Sequence, residues 1–279
     1  LSKQVLRPIL DVVQEVNNIR ASNLHLRVKE PETKDEIGAL TKTFNQMLDR
    51  LETSFAMQKS FISNASHELR NPLTAISGEI EVALLRERSP QEYIHSLEIL
   101  QNETERLQKL TSDLLSLAQA DFDEQDMPKT LIQIDELVLE CVEELKAVYP
   151  AAQIQLDFSH LPAAAEELQL KGSRNLLRIA IINVLENAVK FSEGKEVLVT
   201  LKSEQNCRIL CVADQGIGIP EEELKRVFEP FYRAKNARGH RGTGIGLSLT
   251  QKIIQLHKGS VVVSSEAGKG TEVKVKLPA

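Results

Sequence analysis

Apolar residues recur at helical intervals through the first part of the chain and at shorter, strand-like intervals after it. In residues 1–20, Val5, Ile9, Val12, Val13, Val16 and Ile19 fall mostly three and four apart, which predicts one helical stripe. Pro8 lies in its first turns, where a missing N–H is tolerated. Residues 21–36 are polar, broken by Pro31, and read as a connector. A second helix is predicted from near Asp35, opened by acidic residues that suit a helix N-terminus. Its seam runs Leu40, Phe44, Met47, Leu51, Phe55, Ile62, Ala65, Leu69, Leu73, Ile76, Ile80 and Ala83, interrupted around Gln58. Pro72 removes one hydrogen bond within it and predicts a bend. Residues 86–91, with Ser89 and Pro90, read as a turn. A further seam follows at Ile94, Leu97, Leu100, Thr104, Leu107, Thr111, Leu114 and Leu117. Two long amphipathic helices joined by a short turn make an αα-hairpin. One hairpin covers its own seams poorly, so two hairpins forming a dimeric four-helix bundle are expected.

The pattern then changes. Residues 121–130 (DFDEQDMPKT) are acidic, contain Pro128 and read as a linker. Beyond it, 197–201, 209–212, 261–264 and 273–277 are short, β-branched runs bounded by turn residues, which predicts strands. Residues 135–148 and 175–190 predict helices. Mixed elements over this stretch imply an α/β sandwich with its own core.

Composition narrows this picture. A length of 279 residues fits about two or three domains. With 42% hydrophobic and 27% charged residues, wholesale disorder, collagen and a membrane bundle are excluded. Only 4% aromatics and no Trp favour long helices with lean cores. A net charge of −6 disfavours a nucleic-acid grip over the whole surface. Three cysteines do not make a disulfide scaffold and suit a reducing compartment. No apolar run reaches the roughly eighteen residues that span a membrane, and there is no signal peptide. The first residue is Leu1 rather than Met, which suggests a fragment of a longer protein.

Candidate chemistry concentrates in four ordered strings: NVLENAVKF (183–191), DQGIGIP (214–220), FEPFYR (228–233) and GTGIGL (242–247). Asn183 and Asn187 are four apart and share a helix face with Lys190. An amide oxygen can complete a Mg²⁺ shell otherwise made of phosphate oxygens and water, and an ammonium offsets phosphate charge. Asp214 follows a predicted strand, so its carboxylate emerges at a strand end, able to accept from an exocyclic amine such as adenine's. Gly216 and Gly218 would let the backbone lie close against a flat ring. Gly242, Gly244 and Gly246 precede an apolar helical run, and a glycine-rich turn at a helix N-terminus presents N–H groups to phosphate. Arg233, Lys235, Arg238 and Arg241 predict a basic lid over 221–241. A single Gly-x-Gly is a turn more often than a ligand site; the ordered set is the signal.

Together the strings resemble the N box, first glycine box, F box and second glycine box of the GHKL nucleotide-binding fold, and most closely the catalytic domain of bacterial sensor histidine kinases, over residues 127–279. The resemblance implies ATP and Mg²⁺ as cofactors. It implies Asn187 on the metal, Asn183 and Lys190 at the phosphates, Asp214 on adenine, and Arg233 among the cofactor-binding residues. It also implies Gly216 and Gly218 around the base, and Gly242, Gly244 and Gly246 at the β- and γ-phosphates, with Thr271 behind Gly268 and Gly270 in the site.

A further string, FISNASHELRNPL (61–73), lies on the long helix. At about 100° per residue, His67 lies roughly 200° from the seam residues Ala65 and Leu69 and points out of the bundle. Asn71 shares its face, and the adjacent Glu68 can accept its proton. The string resembles the H box of the HisKA dimerisation and phosphotransfer domain, over residues 54–122. By that resemblance His67 is the phosphoacceptor, Glu68 assists as base, and Asn71 takes the position linked to dephosphorylating the partner regulator. Residues 1–53 resemble a HAMP signal relay, though Ser22 stands where a Gly is common.

The implied protein is multidomain. An all-α dimeric four-helix bundle, HAMP and HisKA, is followed by an α/β sandwich ATP-binding domain of GHKL type. The implied activity is a two-component sensor histidine kinase acting on a response regulator. It would be a homodimer without direct nucleic-acid contact, the cytoplasmic portion of a bacterial inner-membrane protein with a transmembrane segment before Leu1. Two alternatives stand beside it. A GHKL ATPase clamp is disfavoured because Asn183 occupies the place of a water-activating Glu. A catalytically inactive dimeric scaffold is disfavoured by the intact set of motifs. Ser173 after Gly172, where relatives often carry Asp, reads as a tolerated loop variation. Cys141, Cys207 and Cys211 read as core thiols, and His240 as a lid residue without a phosphate role.

Overall fold

The computed structural model describes residues 2–20, 23–29, 36–119, 129–159, 161–162, 164–204, 206–237, 239–240 and 242–278. Ser22, Pro31, Asp35, most of the predicted linker (121–128), Arg238 and Arg241 lie outside them. The chain divides into two compact units, Leu1–His67 and Glu68–Ala279.

The first helix, α1 (Ser2–Asn18), follows the predicted stripe, and the second, α2 (Glu36–Leu84), is a single element with Pro72 inside it. In the first unit the connector is held by its backbone. The Val28 N–H donates to the Asn45 side-chain oxygen and the Asn45 amide donates back to the Val28 carbonyl, both at 2.9 Å. Arg27 donates to Asp49 and Glu52 on α2. These bonds carry Leu24 and Val28 into a small core with Leu48.

In the second unit, α3 (Pro90–Gln119) starts inside the segment predicted as a turn. The reason is a capping box with proline at the first helical position. The Ser89 N–H donates to the Glu92 carboxylate at 2.8 Å, and the Glu92 N–H donates back to Ser89 Oγ at 3.3 Å. Ser96, nearly fully buried, donates to Glu79 at 2.6 Å and ties α3 to α2 near this tip.

The remaining elements are β1 (Thr130–Gln133), α4 (Ile134–Val148), β2 (Ile154–Asp157), β3 (Gln169–Gly172), α5 (Arg174–Phe191), β4 (Val197–Glu204), β5 (Cys207–Asp214), α6 (Gly246–Leu256), β6 (Ser260–Glu266) and β7 (Gly270–Pro278). Five strands form a mixed sheet in the order β2-β4-β5-β7-β6, parallel only between β2 and β4; β1 and β3 pair separately. Alternation puts Val199, Leu201, Leu210, Val212, Val273 and Val275 on one face, directly opposite one another in register, and all are buried. Helices α5 and α6 cover that face through buried Leu177, Ile181, Val184, Leu185, Leu249, Ile253 and Ile254. The outer face is more polar, and Cys207 and Cys211 are half-exposed there, a correction to their reading as core thiols; Cys141 is fully buried.

The four predicted strands and the helices predicted over 135–148 and 175–190 stand, each longer by one to four residues, and the apolar run after Gly246 is α6. Strands β1, β2 and β3 were missed, each four residues and too short for alternation to register. Thr130, placed in the linker, already belongs to β1. Ser173 is the N-cap of α5, its hydroxyl accepting from the Leu176 N–H, so its position is structural. No helix among the described residues is long and apolar enough to cross a membrane.

Candidate functional site

The unit Glu68–Ala279 contains a cavity of 160 Å³ between α5, the ends of β5 and β7, the loop 215–245 and the start of α6. The helical period of α5 aims Asn183, Glu186, Asn187 and Lys190 into it from one face. Asp214, last residue of β5, Thr271 near the start of β7, and Gly218, Arg233, Gly242, Gly244 and Gly246 complete the part foreseen from sequence. Gly216 is the one foreseen binding residue of the four boxes that does not line it.

Each polar group has a distinct environment. Asn183 is 8% exposed, and its Nδ2 is buried without a hydrogen-bond partner. A buried donor left unmatched is costly, so an acceptor supplied by water or by a ligand would stabilise this amide. Burial pushes the Asp214 carboxyl above its ordinary pKa, against the pull of the Gly216 and Thr271 N–H groups that hold it. Burial likewise brings the Lys190 ammonium down to about 8; Glu186 opposes that shift, and Arg233 and Lys109 add to it. Arg233 donates to the carbonyls of Ala237 and His240 and so braces the lid from within. Gly246 opens α6, whose N-terminal N–H groups favour an anion.

The glycines answer first to the protein's own backbone. A Cβ at Gly216 would fall 1.7 Å from the Phe191 carbonyl oxygen, at Gly218 2.0 Å from that of Glu266, and at Gly270 1.9 Å from that of Asp214. The expected close approach to a ring is therefore, at Gly216, a close approach to α5. At Gly244, with φ of +74°, the carbonyl accepts from the Phe231 N–H at 2.9 Å and joins the lid to the second glycine string.

Several lining residues were not foreseen. Lys109 and Asp113 reach the cavity from α3. Lys109 donates to both Glu186 oxygens at 2.5 and 2.6 Å, and Asp113 lines the cavity beside it. Burial lifts the Asp113 carboxyl to about 6, against the pull of Lys109. Asn236 of the lid donates to the Gly218 carbonyl at 2.8 Å, and Tyr232 lies under Arg226 at 4.1 Å. Glu186 sits inside the string NVLENAVKF and was legible by its spacing; nothing local to α3 points to Lys109 or Asp113. His240 packs edge-on against Phe191, ring centroids 5.2 Å apart, and is not among the lining residues.

The H-box residues lie on α2, apart from this lining. His67 and Asn71 are exposed, Glu68 is half-buried and Pro72 is buried. Arg106 of α3 approaches the Glu68 carboxylate to 3.5 Å.

Three families match the chain in order: the HAMP domain over residues 1–53, the His Kinase A (phospho-acceptor) domain over 57–122, and the histidine kinase-, DNA gyrase B- and HSP90-like ATPases over 172–279. The signal transduction histidine-protein kinase ArlS of Staphylococcus aureus is 31% identical over 278 residues, 98% of this chain and 60% of the relative. The chain thus spans about 60% of the length of that relative. Among solved structures, histidine kinase ThkA in complex with response regulator protein TrrA aligns with TM-score 0.62 at 22% identity, covering 88% of this chain and 68% of that one. Full-length ShkA in complex with AMPPNP aligns with TM-score 0.56 at 22% identity, covering 79% and 45%. These two likenesses establish a common fold.

Proposed function

Because this chain belongs to the sensor histidine kinases, with HAMP, HisKA and HATPase domains in that order, we propose that it moves the γ-phosphoryl group of ATP to His67 and then to an aspartate of a response regulator. The proposed divisions are a relay over residues 1–53, a phosphotransfer hairpin over 54–122 and an ATP-binding domain over 127–279. The observation that carries the reading is the Asn183 amide, buried and unmatched in a cavity bounded by a buried carboxylate and a helix N-terminus. The donor set fits Mg-ATP. Asp214, held by Gly216 and Thr271, accepts from the exocyclic amine of adenine, beside the turn of Gly218. Asn183, Lys190 and Arg233 meet the phosphates, with Gly242, Gly244 and Gly246 presenting backbone N–H groups. Asn187 would hold Mg²⁺, which would supply charge neutralisation at the phosphates.

In the transfer itself, an imidazole nitrogen of His67 forms the N–P bond while the bond from the γ-phosphorus to its bridging oxygen breaks and ADP departs. Glu68 takes the imidazole proton. The protein's part is mainly positioning and charge compensation. In the second step the N–P bond breaks as an aspartate oxygen of the regulator takes the phosphoryl group, and the leaving imidazole takes up a proton, returned by Glu68 or by water. Asn71 assists water in hydrolysing the phosphorylated regulator. Two copies of the hairpin form the bundle, and a transmembrane segment ahead of the HAMP relay anchors the protein to the bacterial inner membrane. The ThkA complex with TrrA and the ShkA complex with AMPPNP support partner and nucleotide by kinship of fold.

The test is transfer of label from γ-labelled Mg-ATP to the chain and to His67→Gln. Acid-labile, alkali-stable label on the parent and none on the variant is the expected result. Steady hydrolysis that survives His67→Gln would replace this reading with an ATPase clamp, and nucleotide binding without label on the parent would point to a scaffold.

A further inference from the structure

The first glycine turn and the β6–β7 hairpin meet at one hydroxyl. Ser265, near the end of β6, accepts from the Ile219 N–H at 2.8 Å, donates to the Gly270 carbonyl at 2.7 Å and lies 2.9 Å from Thr271 Oγ1. A serine hydroxyl carries one hydrogen and two lone pairs. The Gly270 carbonyl has no hydrogen to give, so the single Ser265 hydrogen lies on that bond. The hydrogen between the two hydroxyls therefore belongs to Thr271, which donates to Ser265 Oγ. Every bonding position of Ser265 is then filled, and the Thr271 hydroxyl has only lone pairs left. Thr271 lines the cavity, and so does Asp214. The register that pairs Ala213 with Glu272 brings Asp214 opposite Thr271 at the next position, both on the inner face of the sheet. Asp214 Oδ1 is already engaged by the Gly216 N–H at 2.8 Å.

We propose that Ser265 is a positioning residue that sets base specificity: by holding the Thr271 hydrogen away from the cavity it leaves Asp214 and Thr271 as an edge that only accepts, which takes a 6-aminopurine and refuses a 6-oxopurine. The proposal rests on reading the cavity as a nucleotide site with its base at Asp214. An ionised carboxylate has no hydrogen to give. A 6-amino group offers two. A 6-oxo group offers only lone pairs and sets oxygen against oxygen, and a site built to pair with a donor rejects strongly the analogue that lacks it. Thr271 alone does not enforce this, because a free hydroxyl rotates to donate or accept as its partner requires. Ser265 removes that freedom. Its own place is set by the backbone on either side. The Gly268 N–H donates to the Ile217 carbonyl at 2.8 Å, and a Cβ at Gly218 would fall 2.0 Å from the Glu266 carbonyl, so turn and hairpin lie in direct contact.

Calorimetric titration of the 279-residue chain with Mg-ADP and with Mg-IDP, its 6-oxo counterpart, tests this. At about pH 8 the carboxylate is ionised. The parent should bind Mg-ADP at least about tenfold more tightly, the effect of roughly one hydrogen bond. Ser265→Ala should cut that preference several-fold, because Thr271 regains the freedom to donate to the oxo group. Ser265→Thr, which keeps the hydroxyl, should restore it. A purely structural loss lowers both affinities together and leaves their ratio alone. Equal affinities in the parent, or an unchanged ratio in Ser265→Ala, overturn the proposal and leave the nucleotide reading standing; neither nucleotide bound by the parent overturns both. If Ser265→Ala binds neither, Thr271→Val decides by sign. Loss of an acceptor weakens Mg-ADP and relieves Mg-IDP, so the preference should fall. A preference that rises places the Thr271 hydrogen in the cavity, and one that holds removes the hydroxyl from the base; either result overturns the assignment.

Discussion

Gly216 and Gly268 are the same residue under different constraints. A Cβ at Gly216 would enter the Phe191 carbonyl, a clash that no side-chain rotation relieves, whereas Gly268 has φ of +79° and open space around it. Gly216→Ala should therefore cost about 3 kcal/mol or more, the range of severe core disruptions. Gly268→Ala should cost about 1 kcal/mol, the penalty of a left-handed Cβ. Urea denaturation of both variants checks the ranking, and similar losses would contradict it. His257 offers a second prediction. Its Nδ1 lies 2.7 Å from the Ile253 carbonyl and its Nε2 accepts from the Ser173 N–H at 3.0 Å, so the ring is buried neutral with the proton on Nδ1. Burial holds its pKa below the ordinary value, and Lys129 lowers it further while the Ile253 carbonyl opposes. The unfolded chain then binds that proton more readily. Stability from this group is complete above about pH 6.5 and falls as pH drops below it. The thermal midpoint of the parent should decline between about pH 7 and 5 more steeply than that of His257→Gln; parallel declines would remove His257 from the acid response. Neither constraint was visible in sequence, because each depends on a backbone or ring delivered from a distant position.

At the scale of elements, local chemistry explains most of what sequence foresaw. The i, i+4 spacing of Asn183 and Asn187 on α5 needed only helix geometry to bring them together. The start of α3 reads as a turn because Ser89 and Pro90 are turn residues as well as helix-opening ones, and the reciprocal Ser89–Glu92 bonds decide for the helix. Ser89→Ala should cost about 1 kcal/mol and Ser89→Asp should retain most of the cap. Guanidinium melts of the two variants report the difference, and equal stability would show that Pro90 alone sets the helix start. The β1–β3 ribbon escaped for the opposite reason. Four-residue strands carry too few alternations, and their pairing partners lie some forty residues apart in sequence, Thr130 with Gly172.

At the scale of the whole molecule, the hairpin seams remain open to solvent in one copy. Leu73 is 51% exposed, Ile94 55% and Leu97 63%. Apolar stripes of this length need cover, and a second copy would supply it symmetrically. Light scattering should give twice the chain mass for the parent and a shift towards the single-chain mass for Leu97→Glu; a parent that stays monomeric at micromolar concentration would contradict the bundle. Sequence by itself determined the helical and strand character of most elements and the shared helix face of Asn183, Asn187 and Lys190, because each follows from periodicity or from residues a few positions apart. Tertiary structure alone decided the strand order β2-β4-β5-β7-β6, the backbone contacts that require Gly216, Gly218 and Gly270, and the arrival of Lys109 and Asp113 at the cavity. Those features come from segments brought together across long stretches of chain, where packing and charge choose the partner and no local pattern records the choice.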